Sequence, residues 1–277
     1  AGRPLQAVSG GIAIALAGCL AVLAWIFVHP LFAARRRRQL AAQSLSAADR
    51  ALLADYWPGY ARVPPALASR LDALTAVFLG EKEFIGCGGL AVTPPMRLSI
   101  AAQACLLALG HDRPPYESLR SVLVYPSQFV VPGEWHDEHG VVTEESRVLA
   151  GESWDVSRVI LSWEDVDSRG APGEAWNVVF HEFAHYLDHE WDGAPWIAGG
   201  NARRRWIRLL DAELERLRAQ AESGERTFLD PYASEDRDEF FAVASEAFFE
   251  EPALFARELP ALYRALRDVY RLDPAAW

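Results

Sequence analysis

The strongest constraint on this chain is the run His181-Glu182-Phe183-Ala184-His185. Positions four apart share a helical face, so His181 and His185 can aim ring nitrogens at one Zn²⁺, at about 2.0–2.1 Å, if the segment is a helix. Glu182 then sits about 100° round the axis, where its carboxylate reaches a metal-activated water without ligating the ion. Val178-Val179-Phe180 before the run, and Phe183, Ala184 and Leu187 within or after it, supply an apolar burying face. Burying two imidazoles and a carboxylate is costly without a shared ion or full hydrogen bonding. The pattern therefore points to a metal, and imidazole with carboxylate suits Zn²⁺ or Fe²⁺ better than Mg²⁺ or Ca²⁺.

A catalytic zinc takes a third protein ligand and keeps one position open. Asp236 to Glu250 reads as a second helix, rich in acids, in which Glu239 and Glu246 share a face among Phe240, Phe241, Phe248 and Phe249. Asp236 and the Glu250-Glu251 pair fit a wet helix face. Periodicity leaves Glu239 and Glu246 equal as the third ligand. His136 and His139 could suggest a second metal site, but with no Cys or further His nearby an exposed loop is the simpler reading.

At the front, Pro4 to Ala34 contains no Asp, Glu, Lys or Arg. Residues 7–28, at about 1.5 Å each, would cover a hydrocarbon core of about 30 Å. Arg35 to Arg38 follow the apolar run instead of preceding it, unlike a cleaved signal peptide. These residues predict a transmembrane helix with the body on the cytoplasmic side of the inner membrane. A buried core helix is the alternative. Residues 41–277 hold 22 of the 27 basic residues and all 38 acids, a net charge of −16. Such a body repels phosphates, so nucleic acid is not an expected partner. Three cysteines, Cys19, Cys87 and Cys105, form no disulfide framework and fit a reducing compartment.

Helical spacing predicts helices over Ser44–Tyr56, Ala66–Phe78, Ser99–Leu109, Trp176–Glu190, Ala202–Glu222, Arg237–Glu250 and Pro252–Tyr270, the last broken at Pro260. Ser46 is a candidate N-cap. Gly86 to Gly89 reads as a loop or short strand. Ser121–Tyr125, Phe129–Val131, Gly140–Thr143 and Val159–Trp163 read as short strands of a small sheet. Two parts result: residues 1–40, an apolar anchor helix with its arginine cluster, and residues 41–277, one predominantly helical α+β domain.

The stretch from Asn177 to Asp188, with Tyr232 and Glu239 to Phe249, resembles the Mlc titration factor A family of zinc metallopeptidases. Further segments match in the same order: Phe78-Leu79 through Phe84, Ile100 to Cys105, Val124-Tyr125-Pro126, Gly151 to Trp154 and Leu161-Ser162-Trp163. The resemblance covers about residues 70 to 274. It implies a zincin-like, gluzincin domain related to the anthrax lethal factor catalytic domain. By that resemblance Glu239 is the third zinc ligand, Tyr232 a transition-state donor, and Glu246 a supporting or packing acid. Asp188, on the face of His181 and His185, can orient a ligand imidazole or simply end a solvated helix. Asn177, one turn before His181, can do the same or cap the helix.

Two functions compete. One is an aminopeptidase or short-peptide hydrolase with Glu182 as general base, tethered to the membrane through residues 7–28. The other is a protein that sequesters a transcriptional regulator, as the family name implies, with peptidase activity secondary. The best-known family members lack an apolar span with a following arginine cluster, and a soluble cytoplasmic protein is the family default.

Overall fold

The computed structural model describes residues 30–112, 116–127, 157–168 and 176–277, isolated positions 18, 25 and 28, and the backbone of five two-residue strands between 129 and 152. Residues 30–43 form helix α1. It docks at the end of α3 (Pro65–Glu81). There Arg36 donates to the Gly80 carbonyl at 2.9 Å and Arg37 pairs with Glu81 at 2.7 Å. A Cβ at Gly80 would stand 2.6 Å from the end of the Leu40 side chain, so glycine lets Leu40 pack closely where a larger residue would make it shift. No described helix is long and apolar enough to cross a membrane. The span expected over 7–28 lies, except for positions 18, 25 and 28, outside the described residues.

Between them, α2 (Ala47–Tyr56) starts with the expected cap, Ser46 Oγ accepting from Asp49 N–H while Asp49 accepts from Ser46 N–H. Strand β1 (Glu83–Gly86) follows α3, so this region is a strand that begins before the expected Gly86. Helix α4 (Pro94–Ala108) starts five residues earlier than its apolar run. Pro94 and Pro95 occupy first-turn positions whose N–H groups need no helical partner. Strand β2 (Ser121–Tyr125) pairs in parallel with β1, Phe84 opposite Val122, and α4 provides the crossover a parallel pair needs.

Strands β3 (Phe129–Val130) and β6 (Val148–Leu149) pair antiparallel, as do β4 (Trp135–His136) and β5 (Val142–Thr143). The main sheet has the order β1-β2-β8-β7, with β8 (Arg158–Ser162) parallel to β2 and β7 (Gly151–Glu152) antiparallel at the edge. Trp163, expected to end a strand, instead begins the short helix α5 (Trp163–Ser168). The second half is helical: α6 (Val178–Glu190), α7 (Gly200–Ser223), α8 (Arg237–Glu250), α9 (Pro252–Glu258) and α10 (Pro260–Tyr270), with a 3₁₀ turn at Pro231–Ser234. The architecture is the expected α+β, predominantly helical.

Helix α6 packs against α8, α4 and β8. Phe183 sits between Phe78 and Tyr116, with ring centroids 5.9 and 5.0 Å away, and Phe180 between Trp57 and Phe249. Both phenylalanines are fully buried. At about 1.5–3 kcal/mol for each such side chain, they fix the rotation of α6 and hence the direction of the histidines.

Candidate metal centre

Asn177 sets where α6 begins. Its Oδ1 accepts from Val179 N–H and Phe180 N–H, both at 3.1 Å, so it is the N-cap and the helix starts at Val178 instead of the expected Trp176. Its side-chain amide donates at 2.8 Å to Gln103 Oε1 and to Glu250 Oε1, and its own N–H donates at 2.5 Å to Glu246 Oε2. The start of α6 is thus tied to α4 and to the far end of α8. Glu250 is not on a wet face as expected. The end of α8 turns it inward, where it bridges Asn177 and Arg62, the latter at 2.9 Å. Neither Gln103 nor this role of Glu250 is visible from sequence, because both depend on α4 and α8 meeting α6.

One turn into the helix, His181 Nε2 and His185 Nε2 stand 3.0 Å apart, and Glu239 Oε2 lies 3.1 and 3.4 Å from them. Asp236 places Glu239 by capping α8, its Oδ1 accepting from Glu239 N–H at 2.9 Å. His181 Nδ1 lies 2.7 Å from Glu246 Oε1, and Asn177 N–H occupies the other carboxylate oxygen. Nδ1 therefore carries a proton, and in the neutral ring Nε2 is the nitrogen left with a lone pair, facing His185 and Glu239.

Three lone-pair atoms this close repel one another unless a cation or protons lie among them. Four-coordinate ligands 2.0–2.2 Å from a zinc ion are themselves roughly 3.3–3.6 Å apart, so the spacing suits such an ion. The two imidazoles and the carboxylate can hold a metal. Glu182 Oε2 is buried without a hydrogen-bond donor among the described residues, and buried Glu239 Oε2 faces the two imidazole nitrogens, as expected of groups arranged around a positive ion.

The electrostatics of the metal-free cluster agree. Burial pushes the Glu182 carboxyl up to about 7, against the pull of His181 and His185. Burial opposes a charged His181, but Glu239 and Glu246 outweigh it and hold its pKa up at about 10. Glu239 is held far below the usual carboxylate range, because its contacts with both imidazoles overcome its burial. The site holds a positive charge tightly, as protons or as a metal.

Tyr232 lies on the 3₁₀ turn, capped by Asp230, with its ring 6.2 Å from that of His181. It is 40% exposed, and burial of the rest, then the Glu239 carboxylate, raises its hydroxyl pKa above the usual phenol value. Trp176, which sequence reasoning passed over, places its ring 5.9 Å from His181. Asp188 is buried, and burial followed by Asp238 pushes its carboxyl up to about 7. The carboxylate bound to a ligand imidazole is that of Glu246.

A buried helix presents two histidines and a glutamate to a glutamate from a second helix, in an α+β domain, an arrangement that can hold a metal ion. The profile of the glucose-regulated metallo-peptidase M90 family matches residues 31–271. The chain belongs to that family. It is 38% identical over 269 residues to the uncharacterized protein slr2042 of Synechocystis sp. PCC 6803, covering 95% of this chain and 97% of that one. It is 36% identical over 224 residues to Mlc titration factor A of Klebsiella pneumoniae strain 342, covering 78% and 83% of the two chains. Mlc titration factor A of Escherichia coli O127:H6 is 34% identical over 213 residues, covering 74% and 79%.

Proposed function

We propose that the chain is a zinc-dependent peptidase acting on short peptides, in which His181, His185 and Glu239 hold the ion. The observation that carries this reading is the convergence of two imidazole nitrogens and one carboxylate oxygen within 3.4 Å, beside Glu182, whose buried Oε2 has no hydrogen-bond donor among the described residues. Zinc, when bound, supplies a Lewis acid that acidifies a water and polarises the scissile carbonyl. Glu182 takes the proton of the attacking water and delivers it to the leaving amine. Its raised pKa suits both halves of that transfer. Tyr232 donates its hydroxyl to the developing oxyanion, and Glu246 keeps His181 in the tautomer with Nε2 free. An aminopeptidase is the form of this activity we favour.

The test is chelator-sensitive cleavage of chromogenic amino acid and peptide substrates by the full chain, lost in Glu182→Gln while zinc is retained. Full activity in that variant removes Glu182 as the base.

The name Mlc titration factor A, carried by the Klebsiella and Escherichia relatives, supports a second reading, in which the chain titrates a regulator of the Mlc kind. Capture of such a protein should survive Glu182→Gln and zinc removal. For location, we infer that residues 7–28 anchor the chain in the inner membrane. Leu31 and Phe32 on α1, and Trp25 before it, are each about two-thirds exposed and precede the arginine cluster in sequence. Release of the chain to the soluble fraction when residues 7–28 are deleted, and not before, tests that.

A further inference from the structure

A cavity of about 230 Å³ opens between α1 and α3 and shares no residue with the metal centre. Leu74, Val77 and Phe78 give it an apolar wall. Four cations, Arg37, Arg38, Arg70 and Lys82, line it against two carboxylates, Glu81 and Asp112.

The two carboxylates are already engaged: Glu81 with Arg37 at 2.7 Å and Asp112 with Arg70 at 3.2 Å. Two cations remain with no carboxylate within 4.0 Å among the described residues. Arg38 is exposed. Lys82 is only 7% exposed, and its Nζ donates to the carbonyls of Tyr116 and Leu119 at 2.5 and 2.8 Å. An ammonium has three donors, so one is left over. Carbonyls solvate the charge but do not neutralise it, and Glu81 and Glu190 act on it only from beyond ion-pair distance.

An apolar wall and an excess of cations over carboxylates in one cavity select among ligands. A small hydrated anion gains nothing from Leu74, Val77 and Phe78. A neutral hydrocarbon offers no acceptor to Arg38 or to the third donor of Lys82. We propose that the cavity binds a single-chain carboxylate amphiphile, its alkyl chain against Val77 and Phe78 and its carboxylate drawn by Lys82 and Arg38. The inference does not depend on the metal reading, since its test uses no turnover.

The experiment is calorimetric titration of the full chain with monomeric dodecanoate, below its micelle concentration. Saturable one-to-one binding is expected, with dodecanol and dodecyltrimethylammonium at least tenfold weaker. Arg38→Ala should weaken dodecanoate five- to tenfold. Val77→Trp, at a half-buried position, should fill the cavity and abolish binding, with Leu74→Phe as the second filling variant should the first not fold. Equal affinity for dodecanol overturns the proposal, as does undiminished binding in a folded filling variant or the absence of saturable binding. Binding of phosphatidylglycerol vesicles with none of monomeric dodecanoate also overturns it, and would make the arginine-rich face a membrane surface instead.

Discussion

Replacing Glu246 with Gln isolates one contact. The carboxylate, 1% exposed, offers two acceptors to two donors: Oε1 to His181 Nδ1–H at 2.7 Å, and Oε2 to Asn177 N–H at 2.5 Å. Gln keeps the size but supplies one acceptor and one NH₂. Whichever way the amide turns, its NH₂ meets a donor. If it faces Nδ1, His181 is driven to the other tautomer and its Nε2 no longer presents a lone pair to the metal. A buried hydrogen bond to a charged group contributes about 1.5–3 kcal/mol. Removing the partner of a metal-bound histidine typically costs 10–100-fold in metal affinity, or about 1.4–2.8 kcal/mol. The two magnitudes agree. Zinc affinity of Glu246→Gln, measured by competition with a chromogenic chelator, should therefore fall 10–100-fold with the helical circular dichroism intact. Affinity within threefold of the parent, in a folded protein, would refute the argument that Glu246 sets the tautomer.

Three further outcomes are expected. Tyr232→Phe should lower kcat about 10²–10³-fold with little change in KM, the loss found for comparable oxyanion donors, and a pure KM effect reassigns Tyr232 to substrate binding. A general base must be ionised, so kcat/KM should rise with pH through the ionisation of Glu182; this lies at about 7 in the metal-free cluster and lower once a cation is bound. A flat acid limb contradicts it. Asp188 has a folded pKa of about 7 against an ordinary 3.8, so the folded state holds a proton the unfolded chain releases. Its stabilisation is therefore present below about 3.8 and lost as pH rises to about 7, by up to about 4 kcal/mol. Asp188→Asn should gain stability over the parent between pH 5 and pH 8 in denaturant melts, and equal pH slopes would count against it.

The helices and the first two candidate metal ligands are legible in the sequence because each depends on local spacing. His181 and His185 share a face whatever α6 packs against, and Ser46 caps α2 through residues three positions away. Choosing Glu239 over Glu246 needs the rotation of α8, which is set by Asp236 at its cap and by phenylalanines meeting α6 and α10. Periodicity places both acids on one face and cannot say which end of that face lies beside Nε2. The Asn177–Gln103–Glu250 network is less legible still, joining residues more than seventy positions apart. The strand β1 was obscured by its length of four residues and mostly exposed side chains, which leave no alternating pattern to read.

Anomalous diffraction at the zinc edge, from crystals of the purified full chain, tests the central claim most directly. One peak is predicted, about 2.0–2.2 Å from His181 Nε2, His185 Nε2 and a Glu239 oxygen, with no ligand bond to Glu182 or Glu246. A site with no peak after zinc loading, or an ion held by Glu246 in place of Glu239, would contradict it.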